Sequence, residues 1–377
     1  MINTIIFWLE KHPRSIAGTV KYLSYKYKVI CICREESVDS NRKRMGWENE
    51  NLGNTEIIYL SRETNIQNKI ESILKAYHDE QTFHFMMGFK NKGINHWGYK
   101  YIIGKNPNLA IIAERPTGYN LGLFKTIYSY LYYRISALRL RHNIKFILTM
   151  GTLGVKAYTK AGFRKNQVFA YMYHKITNLT SHTNENSKTD KLRILYVGRF
   201  DKRKGSGIMM SAFDGIKNYS DWTLDLVGAN GDMEKETIEW AKNAKNVNYI
   251  GVWPSIEVSD KTSQYDLCLV PSLDDGWGMF VTESIESGVG CITTTKTGSR
   301  DLVEASQAGL VIESGSIEEL QNALIMAINN REIIERWKEN ARLYRDRISD
   351  ESIGNYVIDC INYFTSQSSE FPKCPWL

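Results

Sequence analysis

No window of this chain approaches the roughly 18 to 20 uninterrupted apolar residues of a membrane span, and the opening INTIIFWL run stops at Glu10. The N-terminus therefore reads as a first strand, not as a signal peptide. Cysteine is sparse: six thiols stand at 31, 33, 268, 291, 360 and 374, with no CxxC pair and no nearby Cys/His cluster. That spacing offers neither a structural zinc site nor a disulfide framework, and reduced thiols in a cytoplasmic protein are expected. Cys31 and Cys33, in VICIC, are expected on a strand, core-facing or solvent-facing by turns. Also missing are GxxxxGK[ST], GxGxxG and Asp-x-Asp, so neither a Walker loop nor a dinucleotide fingerprint is present.

Acidic residues are absent from a long stretch. From Arg115 to Asn184 there is no Asp or Glu, against eleven Lys and Arg. Residues 1–190 carry 28 basic and 14 acidic side chains, and residues 191–377 carry 20 and 28, so halves of +14 and −8 make up the net +6. Such asymmetry points to an anionic partner for the first half, such as a membrane surface, a phosphorylated substrate or nucleic acid. No RNP, zinc-finger or helix-turn-helix signal supports nucleic acid, and none is expected as a partner.

What the chain does have is 377 residues of ordinary globular composition, 42% apolar and 24% charged, enough for two domains at roughly 100 to 200 residues each. Strand-like and helix-like segments alternate throughout. INTIIFWL, VICIC, FHFMMGF, LAIIA and KFILTM read as strands in the first half, with helices near Asn65–His78 and Leu123–Leu140. The polar stretch 178–190, NLTSHTNENSKTD, reads as a linker. Beyond it the pattern restarts with LRILYVG, TLDLVG, VNYIGV, DLCLVPS, GCITTT and GLVIES, followed by helices over Ser316 to Phe364. Domains are expected at 1–177 and 191–350, with a C-terminal helical segment, 351–377, that crosses back to the first. Ligands of such α/β folds sit outside the carboxyl ends of the strands.

Two segments carry the chemistry. After LRILYVG come Gly198, Arg199, Lys202, Arg203, Lys204 and Gly205, then a helix. A strand end, glycines, cations and a helix N-terminus suit a diphosphate; taken alone, a solvated basic turn explains the motif equally well. The second segment is VPSLDDGWGMFVTESIESG, in which Asp275 lies on a loop and Glu283 in the first turn of a helix starting near Phe280. A helix-dipole role alone accounts for Glu283. It leaves Gly276 and Gly278 unexplained, and these let a backbone approach a ligand closely.

VGRFDKRKG and PSLDDGWGMFVTE, in this order and about seventy residues apart, together with LDLVG, VNYIGV and ESGVGCITTTKTGSRDLV, resemble the family 4 retaining glycosyltransferases. The resemblance covers most of the second half. It implies an α/β architecture of GT-B type, two facing Rossmann-like domains with an interdomain cleft. It also implies that Arg199 and Lys204 bind the donor diphosphate beside Gly198. The loop and helix start at Gly276, Trp277, Gly278, Met279 and Phe280 would contact sugar and phosphates, Glu283 would hydrogen-bond the ribose, and Val252 would line the nucleobase pocket. Two positions depart from the family: Asp275 replaces the first glutamate of Glu-x7-Glu, one methylene shorter, and SGVGCI lacks the proline of the following turn.

The first half resembles the family less. A glycine-rich loop after the first strand would fall at Arg14 to Gly18, where Gly18 and Ser15 support it, and Gly18 is carried as a donor contact. Where many members have a histidine at the end of a central strand, this chain has Glu114, a candidate catalytic or acceptor carboxylate, with an ion pair to Arg115 or helix capping as the plainer role. Phe124, Ile127, Tyr128, Leu131, Ile135 and Leu138 stand at helical spacing. Core packing is their expected main role, and contact with an anionic bilayer a secondary one, suggested by Lys125, Arg134, Arg139 and Arg141. His84, His96, His142 and His174 lack ligand spacing and read as structural.

The reaction these residues suggest is transfer of a sugar from a UDP- or GDP-linked donor to a glycan, without metal or other cofactor. Preorganised positive charge at the leaving diphosphate is what such a reaction needs, and Arg199, Lys204 and the helix N-terminus would supply it in place of a metal held by Asp-x-Asp. Retention of configuration is what the resemblance implies. Charge in the first half suits a polyprenyl-diphosphate-linked acceptor of capsule or O-antigen synthesis, handled at the inner face of the membrane. Three alternatives stay open. A nicotinamide oxidoreductase should show GxGxxG; an epimerase or phosphorylase would share the phosphate contacts; a non-catalytic nucleotide-binding partner subunit is suggested only by Asp275.

Overall fold

The computed structural model describes the chain except residues 37–48, 78–79, 117–121 and 177–190. The 178–190 segment expected as a linker thus lies outside the described residues. Two compact units are formed. The first takes the opening residues, Asn49–Ile176 and Ser349–Pro375, and so includes the helix Asp350–Phe364; the second takes the remaining described residues up to Ile348, with Trp376–Leu377.

The first unit is built on seven parallel strands: β1 (Thr4–Leu9), β2 (Lys28–Cys33), β3 (Glu56–Tyr59), β4 (Thr82–Met87), β5 (Leu109–Ala113), β6 (Ile147–Met150) and β7 (Val168–Tyr171), in the order β3-β2-β1-β4-β5-β6-β7. Helices on both faces bury the sheet, so its inner strands read as continuous apolar runs rather than alternating ones. Trp8, Ile30, Ile32, Met86 and Ile111 share one core cluster. The same cover corrects the expectation for VICIC: Cys31 and Cys33 are both buried. Burial raises the Cys31 thiol, and it pushes Cys33 up to about 12. The strands β3 and β7, not foreseen in the sequence, form the two edges of the sheet.

Six parallel strands make the second sheet: β8 (Leu192–Val197), β9 (Trp222–Val227), β10 (Val247–Gly251), β11 (Leu267–Val270), β12 (Gly290–Thr294) and β13 (Gly309–Ile312), ordered β10-β9-β8-β11-β12-β13. Ile194, Leu224, Leu267 and Ile292 lie in its core. Both sheets reverse direction once, between β1 and β4 and between β8 and β11, and the crevice at such a switch point is where open α/β sheets bind ligands.

The Leu123–Leu140 helix corrects a second expectation. Its buried side faces the first core through Ser136, Ala137 and Leu140, whereas the Phe124–Leu138 stripe, expected mainly as core, points outward. Histidines do serve the structure: His84 accepts a hydrogen bond from the Trp8 indole at 3.2 Å, and His174 Nε2 lies 2.7 Å from Asp350 Oδ1.

Candidate functional site

The two sequence segments singled out for chemistry follow β8 and β11, so they meet at the switch point of the second sheet. Gly198 follows β8, its amide donating to the Val227 carbonyl at 2.9 Å, and Arg199 comes next. The Tyr196 hydroxyl donates to the Arg199 carbonyl at 2.7 Å, and the half-exposed Arg199 side chain lies 3.4 Å from Asp201. Asp201 then accepts the Lys204 amide on its own carboxylate at 2.7 Å, a turn of the kind short Asp side chains stabilise. Gly205 adopts φ +80°, and a Cβ there would sit 1.9 Å from the Pro271 carbonyl oxygen. A side chain is therefore excluded where the β8 loop presses on the β11 loop. The Leu273 amide donating to the Arg203 carbonyl at 2.8 Å completes that seam.

Side chains cross the same seam. Lys204 Nζ donates to Asp275 Oδ2 at 2.5 Å; Arg203 donates to the Asp274 carbonyl at 2.9 Å and lies 3.7 Å from Asp275 Oδ1. Burial pushes the Asp275 carboxyl up, but Lys204, by charge and hydrogen bond, Arg203 and the Trp277 amide together bring it below its ordinary value. Asp275 is thus a buried carboxylate held ionised by two cations. Arg203 was read in the sequence only as part of a basic run. That it stitches two loops is a long-range relation that no local pattern announces.

The helix Met279–Glu286 begins at the β11 loop. Gly278 caps it with φ +89° and no side-chain hydrogen bond, and a Cβ there would come within 2.6 Å of Thr297 Cγ2. Gly276 is buried, and its carbonyl would lie 2.2 Å from a Cβ on Gly298. Gly278 and Gly298 are thus required by the close approach of the β11 loop and the Thr297–Ser299 turn. The Trp277 indole donates to Thr282 at 2.9 Å, fixing that buried ring against the helix, while Met279 and Phe280 open the first turn. Glu283 is the fifth helical residue, not a first-turn one; it is buried near Cys268, whose thiol burial first and then the Glu283 charge raise to about 12. Val252 follows β10, half-buried, two strands from β8.

Two sequence candidates lie in the first unit, each with its own partners. Gly18 is not in a loop: it is in the helix Ala17–Ser24, where a Cβ would stand 2.2 Å from Asp350 Oδ1 and 2.3 Å from His174 Nε2. Packing of that pair accounts for the glycine. Glu114 follows β5, its carbonyl accepting from Tyr158 at 2.5 Å. Burial, then the Glu114 charge, raises the Tyr173 hydroxyl well above its ordinary value. Among the described residues, no three His, Cys, Asp or Glu are grouped to hold a metal ion.

Residues 178–344 match the family described as glycosyl transferases group 1. An uncharacterized glycosyltransferase of Haemophilus influenzae is 27% identical over 173 residues, 45% of this chain and 49% of its own length. The lipopolysaccharide glucosyltransferase WaaG of Escherichia coli is 32% identical over 106 residues, 28% of each chain. The chain thus spans half the length, or less, of these curated relatives. Of solved structures, that of HepE from Anabaena in complex with UDP superposes with a TM-score of 0.70 at 14% identity, covering 95% of this chain and 99% of that one. The chain has the GT-B fold of two parallel-sheet α/β units, and its residues 178–344, just under half of it, match the glycosyl transferases group 1 family.

Proposed function

We propose that this protein is a retaining, metal-independent glycosyltransferase that moves a hexose from a nucleotide-sugar, UDP- or GDP-linked, to a glycan acceptor. The observation that carries this reading is the convergence of Lys204 and Arg203 on Asp275 beside a helix N-terminus whose cap residue is a glycine. Amide N–H groups and the helix dipole favour an anion there. An arriving diphosphate would compete with Asp275 for Lys204, and Arg199, half exposed on the same loop, would add a second cation. In the transfer, the bond from the anomeric carbon to the phosphate oxygen breaks and one to the acceptor oxygen forms, the acceptor proton passing to the departing phosphate. Charge grows on the phosphate oxygens as this happens, and preorganised cations stabilise it. Asp275, released from Lys204, is then positioned for a hydroxyl of the sugar, and Glu283 for the nucleoside.

The acceptor we propose is a polyprenyl-diphosphate-linked intermediate of capsule or O-antigen synthesis. Support comes from the basic first half and from the lipopolysaccharide enzyme among the relatives. The test is thermal unfolding of wild type, Arg199→Ala and Glu283→Ala with UDP, GDP, ADP or CDP, each with and without divalent metal. One nucleotide should stabilise the wild type without metal, by about 2.7 kcal/mol at a hundredfold excess over Kd, and both variants should lose the effect. Stabilisation by none of the four would overturn the nucleotide-sugar reading. Binding without sugar transfer to any lipid-linked glycan would favour the non-catalytic subunit.

A further inference from the structure

The Leu123–Leu140 helix has two unlike faces. Inward, Tyr132, Tyr133, Ser136, Ala137 and Leu140 meet the first core, with the Tyr132 hydroxyl donating to the Phe89 carbonyl at 2.9 Å. Outward, Phe124, Ile127, Tyr128, Leu131, Ile135 and Leu138 fall three and four residues apart and form one stripe on the opposite side. Phe124 is 87% exposed, Tyr128 72% and Leu138 60%, and the other three are about half exposed. A helix that packs one side inward ordinarily turns polar residues to water on the other; here the outer side holds the larger apolar groups, a contiguous patch of the kind that marks an interaction surface.

Charge identifies the partner. At 100° per residue, Lys125 and Arg139 border the stripe on one side and Arg134 on the other, and all three are exposed. With no acidic residue between Arg115 and Asn184, the rim carries one sign only. A second copy docking through this face would set cation against cation, at a cost of like-charge juxtaposition. No described helix is long and apolar enough to cross a membrane. We infer that this helix lies in the plane of an anionic bilayer surface, with the Phe124–Leu138 stripe entering the acyl boundary and Lys125, Arg134 and Arg139 at the head groups. The inference is independent of catalysis: it stands or falls on the outer stripe and its rim.

The experiment is co-sedimentation of the full chain with vesicles of phosphatidylcholine alone and of phosphatidylcholine mixed with phosphatidylglycerol. Wild type should sediment with the mixed vesicles, more weakly as salt rises, and little with the neutral ones. Phe124→Ser/Leu131→Ser/Leu138→Ser should lower partitioning at least tenfold. Arg134→Gln/Arg139→Gln should lower it about 25-fold at low salt, about fivefold for each cation, and remove most of the salt dependence. All changes are on exposed side chains, so unfolding midpoints should stay at the wild-type value. Failure of the wild type to bind mixed vesicles at low salt would overturn the inference, whether or not an acidic protein binds the same face. So would unchanged binding by both variants, or a dimer that the serine variant dissolves.

Discussion

The two sheets share one strand sequence, β3-β2-β1-β4-β5-β6 in the first unit and β10-β9-β8-β11-β12-β13 in the second, yet their switch points are finished in opposite ways. In the first, the helix Ile94–Tyr101 follows β4, and Glu10 from the end of β1 caps it: Oε1 accepts the Ile94 amide at 2.7 Å while Oε2 accepts from Arg34 at 3.2 Å. In the second, the helix Met279–Glu286 follows β11 with Gly278 as its cap residue, and Lys204 and Arg203 from the β8 loop come up beside it to hold Asp275. One helix terminus is met by an acid with a single cation, Arg34, at its side, the other by an acid, Asp275, held between two. Strand order places a crevice; the sign of the charge carried past the first strand decides whether an anionic ligand is welcome in it.

Removing the cation from the second crevice should break the contrast most. Lys204→Ala leaves Asp275 buried with Arg203 as its remaining cation, a loss of roughly 2 to 4 kcal/mol, taken below the full value for a broken buried pair because Lys204 is partly exposed. Nucleotide stabilisation should vanish and turnover fall by at least about 10²-fold. Adding Asp275→Asn should restore most of the stability seen in chemical denaturation and none of the nucleotide effect. A double variant as unstable as the single one would mean that Lys204 acts by packing, not by charge.

Next in size is Gly278→Ala. Its φ of +89° and the 2.6 Å approach to Thr297 Cγ2 predict a loss of about 1 to 3 kcal/mol, together with weaker nucleotide binding as the helix start shifts. The contrast lies with Gly18→Ala in the first unit. Contact with Asp350 and His174 should cost about 1 to 3 kcal/mol by overpacking and leave nucleotide affinity unchanged. A drop in affinity there would connect Gly18 to the donor after all.

These contrasts track what was legible in the sequence. Central strands such as LRILYVG, DLCLVPS and LAIIA stand out because burial on both faces demands uninterrupted apolar residues. EIIY and VFAY do not, because an edge strand of four residues is too short to stand out among turns and loops. The second crevice was legible because its glycines and cations follow a strand in close succession. Its seam was not: Arg203 with Asp274, and Gly205 against Pro271, depend on which strands become neighbours. Periodicity found the stripe on the Leu123–Leu140 helix but not its direction, since a 3.6-residue repeat says that one face is apolar and not which way that face turns.

A pH series sharpens the comparison at smaller amplitude. Asp275 has a folded pKa below its unfolded value near 3.8, so its contribution is complete above about pH 5 and is lost as pH falls through the folded value. Wild type should therefore lose stability more steeply than Asp275→Asn in the acid range, and the two curves should run parallel above it. Equal slopes below about pH 5 would mean that the carboxylate gains nothing from Lys204 on folding.

Glu10→Gln should have the smallest effect. The side chain is about half exposed, so replacing its charge at the N-terminus of the Ile94–Tyr101 helix should cost about 0.3 to 1 kcal/mol, less at high salt. The amide oxygen of glutamine can still accept the Ile94 hydrogen bond, and this keeps the loss at the lower end. Its value is in what it leaves behind: a first crevice that lacks its acid but still holds Arg34. If the sign of charge alone separates the two crevices, that variant should acquire a weak, salt-sensitive affinity for inorganic phosphate, seen as an upward shift of the unfolding midpoint that the wild-type first unit does not give. To isolate it, the measurement is made in the Lys204→Ala/Asp275→Asn background, where the second crevice no longer responds. No shift in that background would mean that the seam of the second unit, with its glycines and paired loops, is needed as well as the charge.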